Sequence, residues 1–286
     1  RRRIATPGGA ATGRPIPATT DATVETAIGP DGEVLEPDPW GIDAEGIAFD
    51  GASVWVSEEY RPSLWRLDAA TGDLLERWTP DSVHAIDRAL PPVIEGRQPN
   101  LGFEGVAVVE GAVWASLQGP ITTPTSSPLT PFVRLLRLDP GTGRTSTFAY
   151  PMDGPARKVG DLARHQNRLL VLEHGPVTDR TWSGQVYVLE IASATPLGPE
   201  DAPEDADGVL EAEAAGVPVL GKTLVLDLVP AGWPAHLHKP EGLAVLEDGR
   251  LAILADNDYG VDAPAGDGRP MATGDRTTLV VFAVDL

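Results

Sequence analysis

Ile42-Asp43-Ala44-Glu45-Gly46-Ile47-Ala48 runs through Asp50-Gly51 into Val54-Trp55-Val56-Ser57-Glu58-Glu59, and the same phrase returns further along the chain. Phe103-Glu104-Gly105-Val106-Ala107 passes Gly111 and continues as Val113-Trp114-Ala115-Ser116-Leu117-Gln118. Pro240-Glu241-Gly242-Leu243-Ala244 turns at Asp248-Gly249 into Leu251-Ala252-Ile253-Leu254-Ala255-Asp256. Between them Gly160-Asp161-Leu162-Ala163 turns at Gln166-Asn167 into Leu169-Leu170-Val171-Leu172-Glu173, reading as a copy with Asp in place of Glu and the following Gly lost.

Two apolar runs about an Asp-Gly or Asn-type turn form a β-hairpin. Three copies continue into a further strand: Leu64-Trp65-Arg66-Leu67-Asp68, Leu135-Leu136-Arg137-Leu138-Asp139 and Val186-Tyr187-Val188-Leu189-Glu190. Outer strands are expected over residues 73–78, 145–150 and 222–228. Units of three or four antiparallel strands, repeating at intervals of roughly 60 to 80 residues, are the blades of a propeller. A β-helix has shorter, stricter periods, and a sandwich does not repeat a motif. The expected fold is therefore all-β, a β-propeller of five or six blades with four visible in sequence. Residues 41–286 make the propeller, and residues 1–40 an N-terminal arm or the remnant of a preceding blade. The apolar run Thr278 to Leu286 is expected to pair with N-terminal residues and close the ring. Gly119 to Thr130 and Leu197 to Val217 lack strand periodicity and read as surface loops.

The composition bounds what such a ring does. In 286 residues, 42 acidic groups face 22 basic ones, for a formal charge of −20. That field repels nucleic acid and anionic membranes and attracts cations. No run approaches the roughly 18 apolar residues of a membrane span. With no Cys there are no disulfides and no thiolate metal sites. The chain opens Arg1-Arg2-Arg3 without Met, which reads as the product of removing a signal peptide or a longer N-terminal part. A secreted or periplasmic monomer is the expectation.

The innermost strand of each propeller blade lines a central channel. Glu45, Glu104, Asp161 and Glu241 begin those strands and are expected to converge. A hairpin returns its second strand to the level at which the first began. The acids and amides that end the second strands, Glu58, Glu59, Gln118, Glu173 and Asp256, are then expected on the same face. Crowded carboxylates take up protons or bind a cation. An all-oxygen ligand set favours Ca²⁺. The other reading is a repeated turn whose acid caps backbone amides in each blade.

Asp256-Asn257-Asp258-Tyr259-Gly260 has the alternating oxygen donors of a Ca²⁺ loop, but its twelfth position is Asp267 rather than Glu, which argues against an EF-hand. The metal ligands read from the sequence are Glu45, Glu104, Asp161, Glu241, Asp256 and Asn257. Arg61, Arg97, Asn100, Lys158 and Lys239 stand beside the acidic steps. They are candidates to hold an anionic small-molecule substrate, or to offset the acids by salt bridges. Glu59 and Glu173 are candidate general bases, and His236 or His238 a candidate proton donor. No Gly-x-Ser-x-Gly elbow, P-loop or His-Glu-x-x-His is present.

From Asp43 to the C-terminus the chain resembles the phytase-like domain of "esterase-like activity of phytase" proteins. The residues that carry the resemblance are Asp43 to Ala48 with Trp55 to Pro62, Arg97-Gln98-Pro99-Asn100-Leu101-Gly102-Phe103-Glu104-Gly105, Lys239 to Leu243, and Asp256 to Gly260. The resemblance implies an exported bacterial protein that hydrolyses phosphomonoesters or related esters with a metal. A lactonase or sugar-acid hydrolase, and a non-enzymatic binding propeller with structural calcium, are the alternatives.

Overall fold

A computed structural model describes residues 3–16, 28–29, 31–122, 126–154, 157–178, 181–257, 260–262, 271–284 and 286. The described residues form four blades, each an antiparallel sheet that begins with one of the repeated steps. Blade 1 comprises Ala44–Phe49, Ser53–Glu58, Ser63–Asp68 and Leu74–Thr79, with Asp87–Ala89 added parallel at its outer edge. Blade 2 comprises Phe103–Val109, Ala112–Leu117, Phe132–Asp139 and Arg144–Pro151. Blade 3 comprises Lys158–His165, Arg168–Thr178, Thr181–Leu189 and Lys222–Asp227. Blade 4 comprises Pro240–Val245, Leu251–Ala255 and Thr278–Phe282. The expected fifth or sixth blade does not occur among the described residues.

The expected outer strands are present within a residue or two. The C-terminal run behaves differently from expectation: Thr278–Phe282 pairs with Leu251–Ala255 as the third strand of blade 4, not with the N-terminal residues. Its alternation leaves Val280 and Phe282 on the side packed against blade 3, so the pairing completes blade 4's own core face. The N-terminal residues lie against blade 1 instead, with Ile4, Ala11 and Trp40 packed on Val56, Trp65 and Leu74.

Leu197 to Val217 is anchored rather than loose. It holds a short helix, Val209–Ala214, and Ala206 and Ala212 pack on Phe132 and Ala149 of blade 2. Arg134 clamps Glu204 through Nε and Nη2 at 2.6 and 3.0 Å in a buried, bidentate pair.

Inner strands of successive blades pack side by side, 1 on 2, 2 on 3 and 3 on 4. The glycine of the repeated step makes this possible. A Cβ on Gly46 would stand 2.7 Å from the Glu104 carbonyl oxygen and 2.8 Å from the Val106 nitrogen, and one on Gly105 would overlap the backbone of Asp161 and Leu162. The inner strands of blades 1 and 2 thus rest on the next blade's main chain at a spacing that no side chain allows. Every inner strand also carries a β-bulge at this step, between Ala44 and Ile47, Phe103 and Val106, Val159 and Asp161, and Pro240 and Gly242. Bulges of this kind re-aim a side chain out of the sheet's alternation.

Gly105→Ala is expected to destabilise the protein by about 1–3 kcal/mol or more, through overpacking against fixed backbone. Gly208→Ala, whose Cβ would meet nothing within 4 Å, is the control and is expected to cost well under that. Urea titration of the two variants checks the difference.

Candidate functional site

Hairpin register fixes which side chains reach the axis. Ala44, Phe103, Val159 and Pro240 occupy one level, opposite Glu58, Leu117, Glu173 and Ala255. One residue further along the second strands, Glu59, Gln118, His174 and Asp256 share the next level. Glu59, Gln118 and Asp256 donate their backbone N–H to Asp43, Gly102 and Lys239, and His174 pairs with Lys158. Alternation sends the first set away from the channel and the second towards it.

The axial end of the blades encloses a cavity of about 530 Å³, lined among others by Asp43, Glu45, Glu59, Glu104, Gln118 and Glu241, with Asn100, Lys158, Lys239, Asp256 and Asn257. Carboxylate oxygens of Asp43, Glu45 and Glu59 lie within 4.8 Å of one another. Glu104 is buried beside them, and its Oε2 has no hydrogen-bond partner among the described residues. Burial, joined by the charges of Glu45 and Glu59, pushes the Glu104 carboxyl well above the usual carboxylate range. Desolvation, then the charges of Asp43 and Glu241, raise Glu45 to about 8. Desolvation also raises Asp43.

Two lysines line the same cavity. Lys158 Nζ donates to Gln118 Oε1 at 2.5 Å, and Lys239 Nζ lies 4.0 Å from Asp256 Oδ2. Asn100 and Lys239 hold positive φ, 55° and 30°, a conformation unusual for residues other than glycine. Asn257 faces the cavity too, but its amide is committed to the C-terminal segment, donating to the Asp275 carbonyl at 3.0 Å and accepting from Thr277 at 2.9 Å. Asp258, Tyr259 and Asp267 lie outside the described residues.

Four of the expected site residues stand elsewhere. Asp161 occupies the register of Gly46, Gly105 and Gly242, while Gly160 takes the place of the glutamate. The blade 3 step is therefore Gly-Asp, the reverse of Glu-Gly, and not an Asp-for-Glu replacement. Asp161 accepts from the backbone N–H of Leu243 at 2.8 Å and of Leu162 at 2.7 Å, tying blade 3 to blade 4. Here the amide-capping reading describes the contact made. Burial raises its carboxyl to about 7.

Glu173 is fully buried on the side away from the channel. It accepts from the Tyr150 hydroxyl at 2.5 Å and the Asp153 N–H at 3.0 Å, and it pairs with Lys222. Glu58, its counterpart in blade 1, accepts from Tyr60 N–H at 2.8 Å and Arg61 N–H at 3.0 Å. Arg61 pairs with Asp81 in a separate cavity of about 210 Å³, and Arg97 donates to the Tyr60 carbonyl at 2.7 Å. His236 and His238 are exposed beside a different groove.

Two residues went unread in the sequence. Asp43 precedes the first Glu-Gly step, at a position the repeat itself does not mark as acidic. His174 is the blade 3 counterpart of Glu59, and the signal for it is the strand period: taking Glu173 instead is a one-residue slip, which turns the side chain to the wrong face. His174 is buried, stacks on Trp182 with ring centroids 5.5 Å apart, and places Nε2 3.8 Å from Glu241 Oε1. Desolvation drives its pKa down to about 3, so it is neutral.

A family model described as "Phytase-like: Esterase-like activity of phytase" matches residues 5–259. The chain belongs to this phytase-like family. No curated protein matches it. Among solved structures it is similar to the computationally designed Ika4 protein, at 13% identity over 85% of this chain and 92% of that one, with a TM-score of 0.31. A luciferin-regenerating enzyme matches at 10% identity over 84% of this chain and 62% of that one, with a TM-score of 0.35. Hydrazine synthase of Kuenenia stuttgartiensis matches at 10% identity over 79% and 68%, with a TM-score of 0.33. Within the phytase-like chain, Asp43, Glu45, Glu59 and Glu104 reach the cavity from blades 1 and 2, Glu241 and Asp256 from blade 4, and the lysines from blades 3 and 4.

Carboxyls raised in the native state bind protons that the unfolded chain has already released. Between about pH 4.5 and 8 the native state therefore holds more protons, and stability falls as pH rises. The melting temperature of metal-free protein is expected to drop by roughly 5 °C or more from pH 5 to pH 8. Millimolar Ca²⁺ at pH 8 is expected to recover most of that drop, and scanning fluorimetry over a pH series with and without chelator measures both. Glu173→Gln is expected to cost roughly 3 kcal/mol by breaking a buried ion pair, while Ca²⁺ affinity stays unchanged. Urea unfolding and calorimetric titration of that variant separate the two effects.

Proposed function

We propose that this phytase-like chain is a secreted, Ca²⁺-dependent hydrolase of phosphate monoesters or related anionic esters, working at the axial cavity. The observation that carries the reading is the Asp43, Glu45 and Glu59 cluster beside the buried, unpartnered Glu104 Oε2. Clustered carboxylates with raised proton affinity are a site prepared for positive charge. All donors are oxygens, which fits a hard cation, and His174 stands behind Glu241 rather than in the cluster.

Asp43, Glu45 and Glu104 would hold the ion, with Glu241 and Asp256 lining the same cavity and Glu241 near enough to act on the charge of Glu45 and Glu104. A bound Ca²⁺ polarises an ester oxygen and acidifies water. Lys158 and Lys239 present ammonium groups to the anionic part of the substrate, and the Asn100 amide fixes its orientation. Glu59, at the end of its strand, is the carboxylate placed to take a proton from the attacking water. Export is part of the proposal, and the acidic surface suits a calcium-rich extracellular setting.

Phosphate-monoester hydrolysis by the purified chain is expected to vanish with chelator and return with Ca²⁺. Glu104→Gln is expected to lower kcat/KM by about 100-fold or more. Turnover of lactones in place of phosphate esters would move the same cavity to another substrate class. Full activity of the Glu104→Gln, Glu241→Gln double variant would overturn the proposal. So would chelation that lowers the melting temperature while every hydrolysis assay stays flat.

A further inference from the structure

Glu59, Gln118, His174 and Asp256 share one level of the channel face, and among these four His174 alone is an imidazole. Its side chain is fully buried, and neither Nδ1 nor Nε2 has a hydrogen-bond partner among the described residues. Leaving a buried polar ring unpaired costs free energy comparable with a lost hydrogen bond, so the contact it stands nearest to carries meaning. Packing fixes the ring. Trp182 stacks on it with centroids 5.5 Å apart and planes 26° from parallel. Gly160 lies against its Cδ2: a Cβ on Gly160 would stand 3.1 Å from that atom and 3.1 Å from the Glu241 Cα. Gly184 is the cross-strand neighbour of His174, and a Cβ there would stand 3.0 Å from Pro240 Cγ. Two positions without side chains thus let Pro240 and Glu241 of blade 4 come up to the ring, with Nε2 3.8 Å from Glu241 Oε1.

Glu241 is the residue in need of such a contact. It falls in the bulge of its strand, between Pro240, which pairs with Ala255, and Gly242, which pairs with Leu254, so the ladder gives it no cross-strand neighbour. We propose that His174 is a positioning residue whose Nε2–H donates to the Glu241 carboxylate and holds it towards the axial cavity, a small rotation of the carboxylate closing the 3.8 Å to hydrogen-bond distance. Buried near the charges of Lys158, Arg157 and Lys239, the ring is neutral and carries one N–H. Two of those cations have acceptors of their own, Gln118 for Lys158 and Ser183 with Gln185 for Arg157. The same contact accounts for the inverted step of blade 3. A glutamate at position 160 would fall on the ring, so blade 3 gives up its own channel carboxylate and orients that of blade 4. At the junction of blades 1 and 2 the equivalent residue is Glu59, which sets a like charge beside Glu104 instead of a donor.

The first test needs no metal and no change at position 174. Nitrogen–proton correlation NMR of the metal-free chain, labelled with ¹⁵N at histidine, is expected to show His174 as the Nε2–H tautomer with a downfield proton. Glu241→Gln moves that proton upfield, and Glu45→Gln, the control, leaves it in place. The second test rests on the reading of the cavity as a Ca²⁺ site. His174→Phe keeps the stacking on Trp182 and loses the donor, and is expected to weaken Ca²⁺ binding in calorimetric titration by about 10-fold or more. His174→Gln, whose amide places a donor near the Nε2 position, restores most of the affinity, and in the Glu241→Gln background His174→Phe costs nothing further. The inference is overturned by an Nδ1–H tautomer, by a His174 signal indifferent to Glu241, or by a His174→Phe protein that binds Ca²⁺ as tightly as the parent. A purely structural ring gives the last result together with a lower melting temperature. If the parent chain binds no Ca²⁺, the functional proposal fails, and the NMR result alone decides the role of His174.

Discussion

Everything in this molecule hangs on main chain touching main chain near the axis. Gly46 against Glu104 and Val106 and Gly105 against Asp161 and Leu162 bring consecutive inner strands closer than side chains permit, and Gly160 sits tightly against Pro240 and Glu241. Hydrophobic burial between blades then accumulates outward from that line, through Trp55, Trp114 and Leu162 on one side and Leu172 and Ile253 on the other. The same contact sets the chemistry. Backbone that sits this tightly leaves the neighbouring residue nowhere to go but the channel, and in blades 1, 2 and 4 that neighbour is a glutamate.

The acids of the chain consequently serve two distinct ends, separated by one residue of strand. Glu58 and Glu173 turn outward into sealed networks of donors, where they knit the blade together. Glu59 and Glu104 turn inward and crowd other carboxylates. Burial raises the proton affinity of Glu58 as it does that of Glu45, so a shifted pKa alone does not mark a site in this protein. What marks it is the direction faced: donors surround Glu58, whereas like charges surround Glu45.

That distinction also measures how far the sequence could be read. The repeat, the hairpins, the outer strands and the convergence of Glu45, Glu104 and Glu241 on one cavity all follow from periodicity and turn chemistry, both of which are local. The Gly-Asp inversion of blade 3 did not follow, because a bulge shifts the register by one residue without changing the apolar pattern around it. From that shift came the choice of Glu173 over His174, and of Asp161 as a channel acid. Arg61 and Arg97 were misplaced for a different reason: their partners, Asp81 and the Tyr60 carbonyl, are set by how loops fold over the blade, which strand period does not encode.

The inversion in blade 3 has a consequence for the site as a whole. With Gly160 at the glutamate position and Lys158 two residues before it, blade 3 contributes no carboxylate to the cavity and one ammonium group. Lys239 adds a second ammonium group from blade 4, alongside that blade's Glu241 and Asp256, and is held at a φ of 30° that a lysine adopts at a cost. A purely structural calcium ring gains from symmetry, with an acid from every blade. This ring is not symmetric, and Lys158 and Lys239 share a cavity of about 530 Å³ with the acids. Under the proposed function, the carboxylates would meet the metal and the lysines the anionic part of the substrate in one cavity. Asn100 and Lys239 both line that cavity from positions of positive φ.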